Sequence, residues 1–135
     1  MPVFALALAA LMQAPAAPSA GLPAEVQVVA GAFRTRPGGQ PLYVYRNDTM
    51  FGMSHCEGAC AAAWPPLLAT PQAQPSPDWT LITRQDGSKQ WAYRDKPLYT
   101  ANIPVERVEK ATGADGAWAP ARPNRPAPAL ALTAT

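Results

Sequence analysis

Cysteine, histidine and net charge are all scarce in this 135-residue chain, which has two cysteines, one histidine and a formal charge of +2 at pH 7. A single histidine excludes a multi-histidine metal centre, and two cysteines exclude a four-thiolate zinc site. Eleven scattered Lys and Arg stand against nine Asp and Glu. Binding to phosphate backbones wants clustered cations, so nucleic acid is not the expected partner. The chain has no G-x-S-x-G elbow, glycine-rich phosphate loop, H-E-x-x-H or C-x-x-C-H, and the expectation is therefore a non-enzymatic protein. No apolar run approaches the ~20 residues of a membrane-spanning helix. Long helices are disfavoured too, because 17 prolines and 9 glycines interrupt the chain and a proline costs about 3 kcal/mol inside a helix.

What is present begins with an address. An apolar run over residues 2–12 is followed by the small-residue stretch 14–20, with Ala17 and Ala20 as cleavage candidates, the pattern of an export signal occupying residues 1–20. No cysteine follows the run to carry a lipid, so the expectation is a soluble periplasmic or secreted protein. The Pro/Ala-rich end reads as a disordered tail over residues 123–135. Between them lies enough chain for one small domain with a modest core.

Strand signals punctuate that domain. Residues 25–30 and 40–46 have the alternation or β-rich composition of strands, separated by the turn-forming Arg36-Pro37-Gly38-Gly39. Residues 79–84 and 89–93 flank Asp86-Gly87 and form the clearest hairpin, with Trp79 and Leu81 on one strand expected to face Trp91 and Tyr93 on the other. Two echoes join these pieces. Gln40-Pro41-Leu42-Tyr43 returns as Lys96-Pro97-Leu98-Tyr99, and Trp64-Pro65-Pro66 as Trp118-Ala119-Pro120, at offsets of 56 and 54. The fold expected is mainly β: one domain over residues 21–122, made of short antiparallel strands and hairpins in two ~55-residue repeats (25–70 and 79–122). One short helical turn is expected at the cysteines, since Ala61-Ala62-Ala63 favours helix and Pro65 stops it.

The blocks Leu42-Tyr43-Val44-Tyr45-Arg46-Asn47-Asp48, Cys56-Glu57-Gly58-Ala59-Cys60 through Trp64-Pro65-Pro66-Leu67, and Asp86-Gly87 through Trp91-Ala92-Tyr93 to Pro97-Leu98-Tyr99 resemble a bacterial secreted-repeat family of predicted lipoproteins with a Y-x-[FWY]-x-x-D motif. Tyr43, Tyr45 and Asp48 fill the motif. The resemblance implies an exported, duplicated domain and no particular activity. The motif residues, with Trp64, Trp91, Tyr93 and Tyr99, are candidates for binding, although burial is the usual fate of such aromatics in a small β domain. In the second copy Ala101 and Pro104 replace the second aromatic and the aspartate. Asp48 itself suits a turn cap, its carboxylate accepting backbone N–H groups.

Chemistry concentrates in residues 50–60. Cys56 and Cys60 are four apart, a spacing that on a helical turn gives Cα atoms about 6 Å apart, within reach of a disulfide. A structural disulfide is the first reading; a thiol-redox pair is another, with His55 beside Cys56. A third is a copper site from Met50, Met53 and His55, soft or borderline donors within one loop. The primary expectation carries no cofactor: a monomeric envelope protein that binds an envelope protein or a small ligand, with copper binding or handling as the alternative and thiol-redox chemistry as the next.

Overall fold

Asp86-Gly87 closes the hairpin that the sequence announces. In the computed structural model, which describes residues 21–50 and 52–124, strands β4 (Trp79–Thr83) and β5 (Lys89–Tyr93) pair antiparallel with Trp79 opposite Tyr93 and Leu81 opposite Trp91. Gly87 takes φ 89° and its N–H bonds the Arg84 carbonyl, the glycine-dependent close of a three-residue loop. The expected export signal and the chain beyond residue 124 lie outside the described residues.

Five further strands and two helices complete the domain: β1 (Val26–Val29), β2 (Ala32–Thr35), β3 (Tyr43–Tyr45), β6 (Lys96–Tyr99), β7 (Trp118–Pro120), α1 (Ala59–Ala63) and α2 (Val105–Ala111). All pairing is antiparallel, with β1 on β2 and a second sheet in the order β4-β5-β6-β3-β7. The short helix at the cysteines is present as α1. Three elements exceed the expectation, one of them β7 at the Trp118-Ala119-Pro120 echo. The two-residue turn Ala30-Gly31, with φ 50° and 78°, starts β2 where only a connection was expected, and α2 forms behind Pro104, with Val108 and Ala111 on its packed face. β3 is shorter than residues 40–46 because Leu42 bonds two neighbours at once, its N–H to Phe33 and its carbonyl to Ala121.

The duplication is interlocked. Tyr43 pairs with Tyr99 and Val44 with Leu98, so the equivalent strands of the two repeats lie side by side, antiparallel, around a pseudo-twofold axis. The stretch after Trp64 then crosses into the second repeat. There the Leu67 N–H bonds the Leu98 carbonyl at 2.9 Å and the Trp91 N–H bonds the Leu67 carbonyl at 2.9 Å. The stretch after Trp118 mirrors this in the first repeat: Ala121 N–H to Leu42 carbonyl at 2.8 Å, Phe33 N–H to Ala121 carbonyl at 3.0 Å. Each repeat thus supplies a stretch that hydrogen-bonds two neighbouring strands of the other at once, and Ala119–Ala121, at the edge of the Pro/Ala-rich end, are part of the fold.

Alternation along β3 and β6 sorts the core onto two sides. Leu42 and Leu98 belong to one cluster with Val26, Phe33, Leu67, Trp79 and Trp91, whereas Tyr43 and Tyr99 belong to another with Cys56, Trp64 and Trp118. In the second cluster Trp64 and Trp118 stack across the axis at 4.0 Å, with Tyr43 edge-on to Trp64 and Tyr99 edge-on to Trp118. Tyr45 adds a third stacked ring on Trp118 at 4.4 Å. Trp64 has no matching third ring from the motif, because Ala101 occupies the position equivalent to Tyr45.

The turn at Ala30 carries a cost, since an alanine in the left-handed region forgoes roughly 1 kcal/mol. Ala30→Asn, which gives the Asn-Gly pair that such turns prefer, is expected to raise unfolding stability by about 1 kcal/mol in urea titration; an unchanged midpoint would contradict the turn geometry.

Candidate functional site

Asp48 ends the first motif at the close of β3, with its N–H on the Tyr45 carbonyl. Its buried carboxylate fastens the loop that follows. Oδ1 accepts the His55 backbone N–H at 2.6 Å and Oδ2 accepts the Tyr99 hydroxyl at 2.7 Å. The tyrosine comes from the second repeat, so the aspartate of one motif copy holds the tyrosine of the other. The Tyr99 proton is committed to Asp48, which makes Ser54 Oγ, 2.6 Å away, the donor to Tyr99. Ser54 Oγ in turn accepts from Arg84 at 3.0 Å and from the Cys56 N–H at 3.1 Å.

Arg84 anchors the far end. Its side chain is 4% exposed and donates to Gln90 Oε1 at 2.8 Å, the Cys56 carbonyl at 2.8 Å and Glu57 Oε1 at 2.9 Å. Gln90 passes a hydrogen bond on to the Leu98 carbonyl. Among the described residues every buried side-chain nitrogen and oxygen has a partner, the condition under which a buried polar network holds structure rather than weakening it. Beside the network Cys56 and Cys60 form a disulfide with Cα atoms 5.1 Å apart. Cys56 is fully buried, and Gly58, at φ 58°, turns the chain between the two.

The candidates therefore divide. Tyr43, Trp64, Trp91 and Tyr99 are core, while Tyr45 and Tyr93 are half-buried; Trp91 Nε1 donates to Glu25, and Tyr93 accepts the Asn124 N–H. Met50, Met53 and His55 point outward instead, the methionines 54% and 47% exposed. The Met53 N–H bonds the Met50 carbonyl and Gly52 takes φ 74°, so the two methionines stand at the first and last positions of one tight turn. Among the described residues no three His, Cys, Asp or Glu converge as a metal cluster. Arg84, Ser54 and Gln90, which do most to fix the loop, were absent from the sequence candidates, since nothing about a lone arginine after a strand announces burial.

Burial raises the Tyr99 hydroxyl well above its ordinary value of 10.0, and the Asp48 carboxylate adds to the rise, while the Ser54 hydrogen bond opposes it. Burial raises Tyr43 likewise, against the pull of Arg34. A group whose folded pKa is raised stabilises fully below its unfolded pKa. That stability is lost as pH climbs, because the unfolded chain sheds the proton first. The urea midpoint is expected to fall between about pH 9 and 11, and to fall less steeply in Tyr99→Phe; parallel slopes would contradict the assignment.

A family described as a secreted repeat of unknown function matches residues 31–68 and 80–122, the two halves related by the pseudo-twofold axis. No curated protein and no solved structure matches the chain.

Proposed function

Because the chain belongs to that secreted-repeat family, we propose that it is an exported cell-envelope protein, periplasmic once a signal within residues 1–20 is removed, acting as a non-enzymatic binding module. Its contact surface is the loop of residues 49–55. The observation that carries this is the contrast at the loop: its base is tied by Asp48 to His55 and by Arg84 to Ser54, next to the disulfide, while its two methionines are exposed. Methionine is soft and adaptable, suited to contact with a partner, and a fixed loop surrenders little entropy on binding. The buried carboxylate, arginine and tyrosine support a scaffold role, since their hydrogen-bonding capacity is spent on one another. Exposed side chains can be changed at little cost to stability, so Met50→Ser combined with Met53→Ser should keep the wild-type melting temperature. Immobilised wild-type protein should retain an envelope component that the double variant releases; the same retained set on both would overturn the proposal.

A second reading makes copper the ligand. The observation favouring it is that the disulfide has withdrawn both thiols, leaving Met50, Met53 and His55 as exposed soft or borderline donors of this loop. Thiol-redox chemistry draws less support, because Cys56 is fully buried and a reactive cysteine needs access.

A further inference from the structure

We propose that the pocket between the Arg94-Asp95 turn and the chain after β7 binds phosphate monoesters, with the ester's apolar group on the pocket floor. It shares no residue with the loop of residues 49–55 and goes beyond the reading of that loop.

The turn gives the first indication. Tyr93 pairs with Lys96, so Arg94 and Asp95 close the β5-β6 hairpin, at φ 48° and 70°. The echo of Gln40-Pro41-Leu42-Tyr43 in Lys96-Pro97-Leu98-Tyr99 aligns this turn with Gly38-Gly39, which also have positive φ, 100° and 65°. Glycine takes such angles without strain and arginine does not. The fold needs the turn, but the turn does not need an arginine. The same alignment makes Lys96 the counterpart of Gln40, and the Trp64/Trp118 echo makes Arg122 the counterpart of Leu68. Three cations therefore stand where the other repeat carries glycine, glutamine and leucine.

These three, all exposed, meet at one pocket of about 290 Å³. Tyr93 and Lys96, directly opposed on adjacent strands, share a face of the sheet. The Tyr93 hydroxyl accepts the Asn124 N–H at 2.8 Å, which holds the segment after β7, and Arg122 with it, against the hairpin. Val44, Pro120 and Ala121 form the floor. Donor capacity at the rim is unspent. Arg94 Nε donates to Asp78 at 3.0 Å, but among the described residues its terminal nitrogens, Lys96 Nζ and the Arg122 guanidinium have no hydrogen-bond partner, and the Tyr93 hydroxyl still has its proton to donate.

The charge decides which anion. Asp78 offsets one of the three cations. The two charges that remain match a phosphate monoester, which carries about −1.5 to −2 at pH 7 and offers three acceptor oxygens to the arginine forks. A carboxylate brings half that charge. No acidic residue lines this pocket, whereas the adjoining one, which shares Arg94 and Lys96 and adds Arg46, is also lined by Asp48 and Asp95. The anion therefore belongs on the Arg122 side.

The test is titration of isotope-labelled protein, its disulfide intact, with phenyl phosphate, and with benzoate as the carboxylate of similar shape. Phenyl phosphate should shift the Arg94, Lys96 and Asn124 amide signals with a single millimolar or tighter Kd, and benzoate should bind more weakly by about fivefold, the worth of one exposed ion pair. Lys96→Gln and Arg122→Gln should each weaken phenyl phosphate by a similar factor, while Arg46→Gln, which removes the same charge, should leave its affinity unaltered. Arg94→Gly should weaken binding yet melt no lower than wild type, because glycine relieves the turn. Vesicles identify the source of the phosphate. Co-sedimentation with phosphatidylcholine vesicles containing phosphatidic acid, absent with phosphatidylcholine alone and lost in Arg122→Gln, assigns a lipid headgroup; amide shifts with phenyl phosphate without such sedimentation assign a soluble ester, and either result supports the site. Unshifted amides, benzoate binding as tightly as phenyl phosphate, or equal weakening by Arg46→Gln and Arg122→Gln would overturn it.

Discussion

Either repeat expressed alone, as residues 21–72 or 73–124, is expected to remain unfolded, and an equimolar mixture of the two to fold. The first half without the second loses the stretch around Ala121 that bonds both Phe33 and Leu42, and the second without the first loses the stretch around Leu67 that bonds both Trp91 and Leu98. Each fragment would also expose half of the stacked pair Trp64 and Trp118, both buried in the whole chain. A fragment of about 50 residues buries too little surface to offset chain entropy even with a complete sheet. Circular dichroism of the separate and mixed fragments checks this; a cooperative melt from either fragment by itself would mean that the interlock is not what holds the fold.

Arg84→Ala is expected to cost about 3–5 kcal/mol, the range for removing one partner from a buried charged network. Glu57, whose side chain is 32% exposed, can turn to water, but Gln90 Oε1 and the Cys56 carbonyl would be left facing the cavity vacated by the guanidinium. Arg94 is the internal control. It makes the same kind of bond to Asp78 at 3.0 Å, with side chains 46% and 48% exposed, and exposed pairs contribute about 0–1 kcal/mol. Urea midpoints for Arg84→Ala and Arg94→Ala should therefore separate widely, and coincident midpoints would show that Arg84 is not the anchor.

Local features of the fold were legible wherever neighbours in sequence decide them. The Asp86-Gly87 turn, the alternation of residues 79–93 and the Ala-rich stop before Pro65 all act within a few residues, and the matching Leu-Tyr and Trp-Pro echoes announced the duplication. The exchange of strands between repeats could not be seen, because Leu67 with Trp91 and Phe33 with Ala121 are long-range pairs with no local signature. The network was hidden for the same reason: Arg84 meets Cys56 and Ser54 across 28 and 30 residues. Helix α2 was missed although Pro104 at its start and the Glu106/Lys110 spacing are helix signals.

Those two features explain how the copies diverged. The first repeat needs Asp48 because a loop follows it before His55, seven positions on, whose N–H it holds. In the second, Pro104 stands in the equivalent place and opens α2 directly, so there is no loop to fasten. The candidate contact surface accordingly exists once per molecule.

The claim that this loop is a fixed surface rather than a floppy connection is tested most directly by amide hydrogen exchange at His55 and Cys56. Their N–H groups bond Asp48 Oδ1 at 2.6 Å and Ser54 Oγ at 3.1 Å. They should exchange within about tenfold of the rates at Leu67 and Ala121 in the sheet, since opening them requires breaking the same cooperative unit. Exchange at the rate of an unstructured peptide would contradict the account.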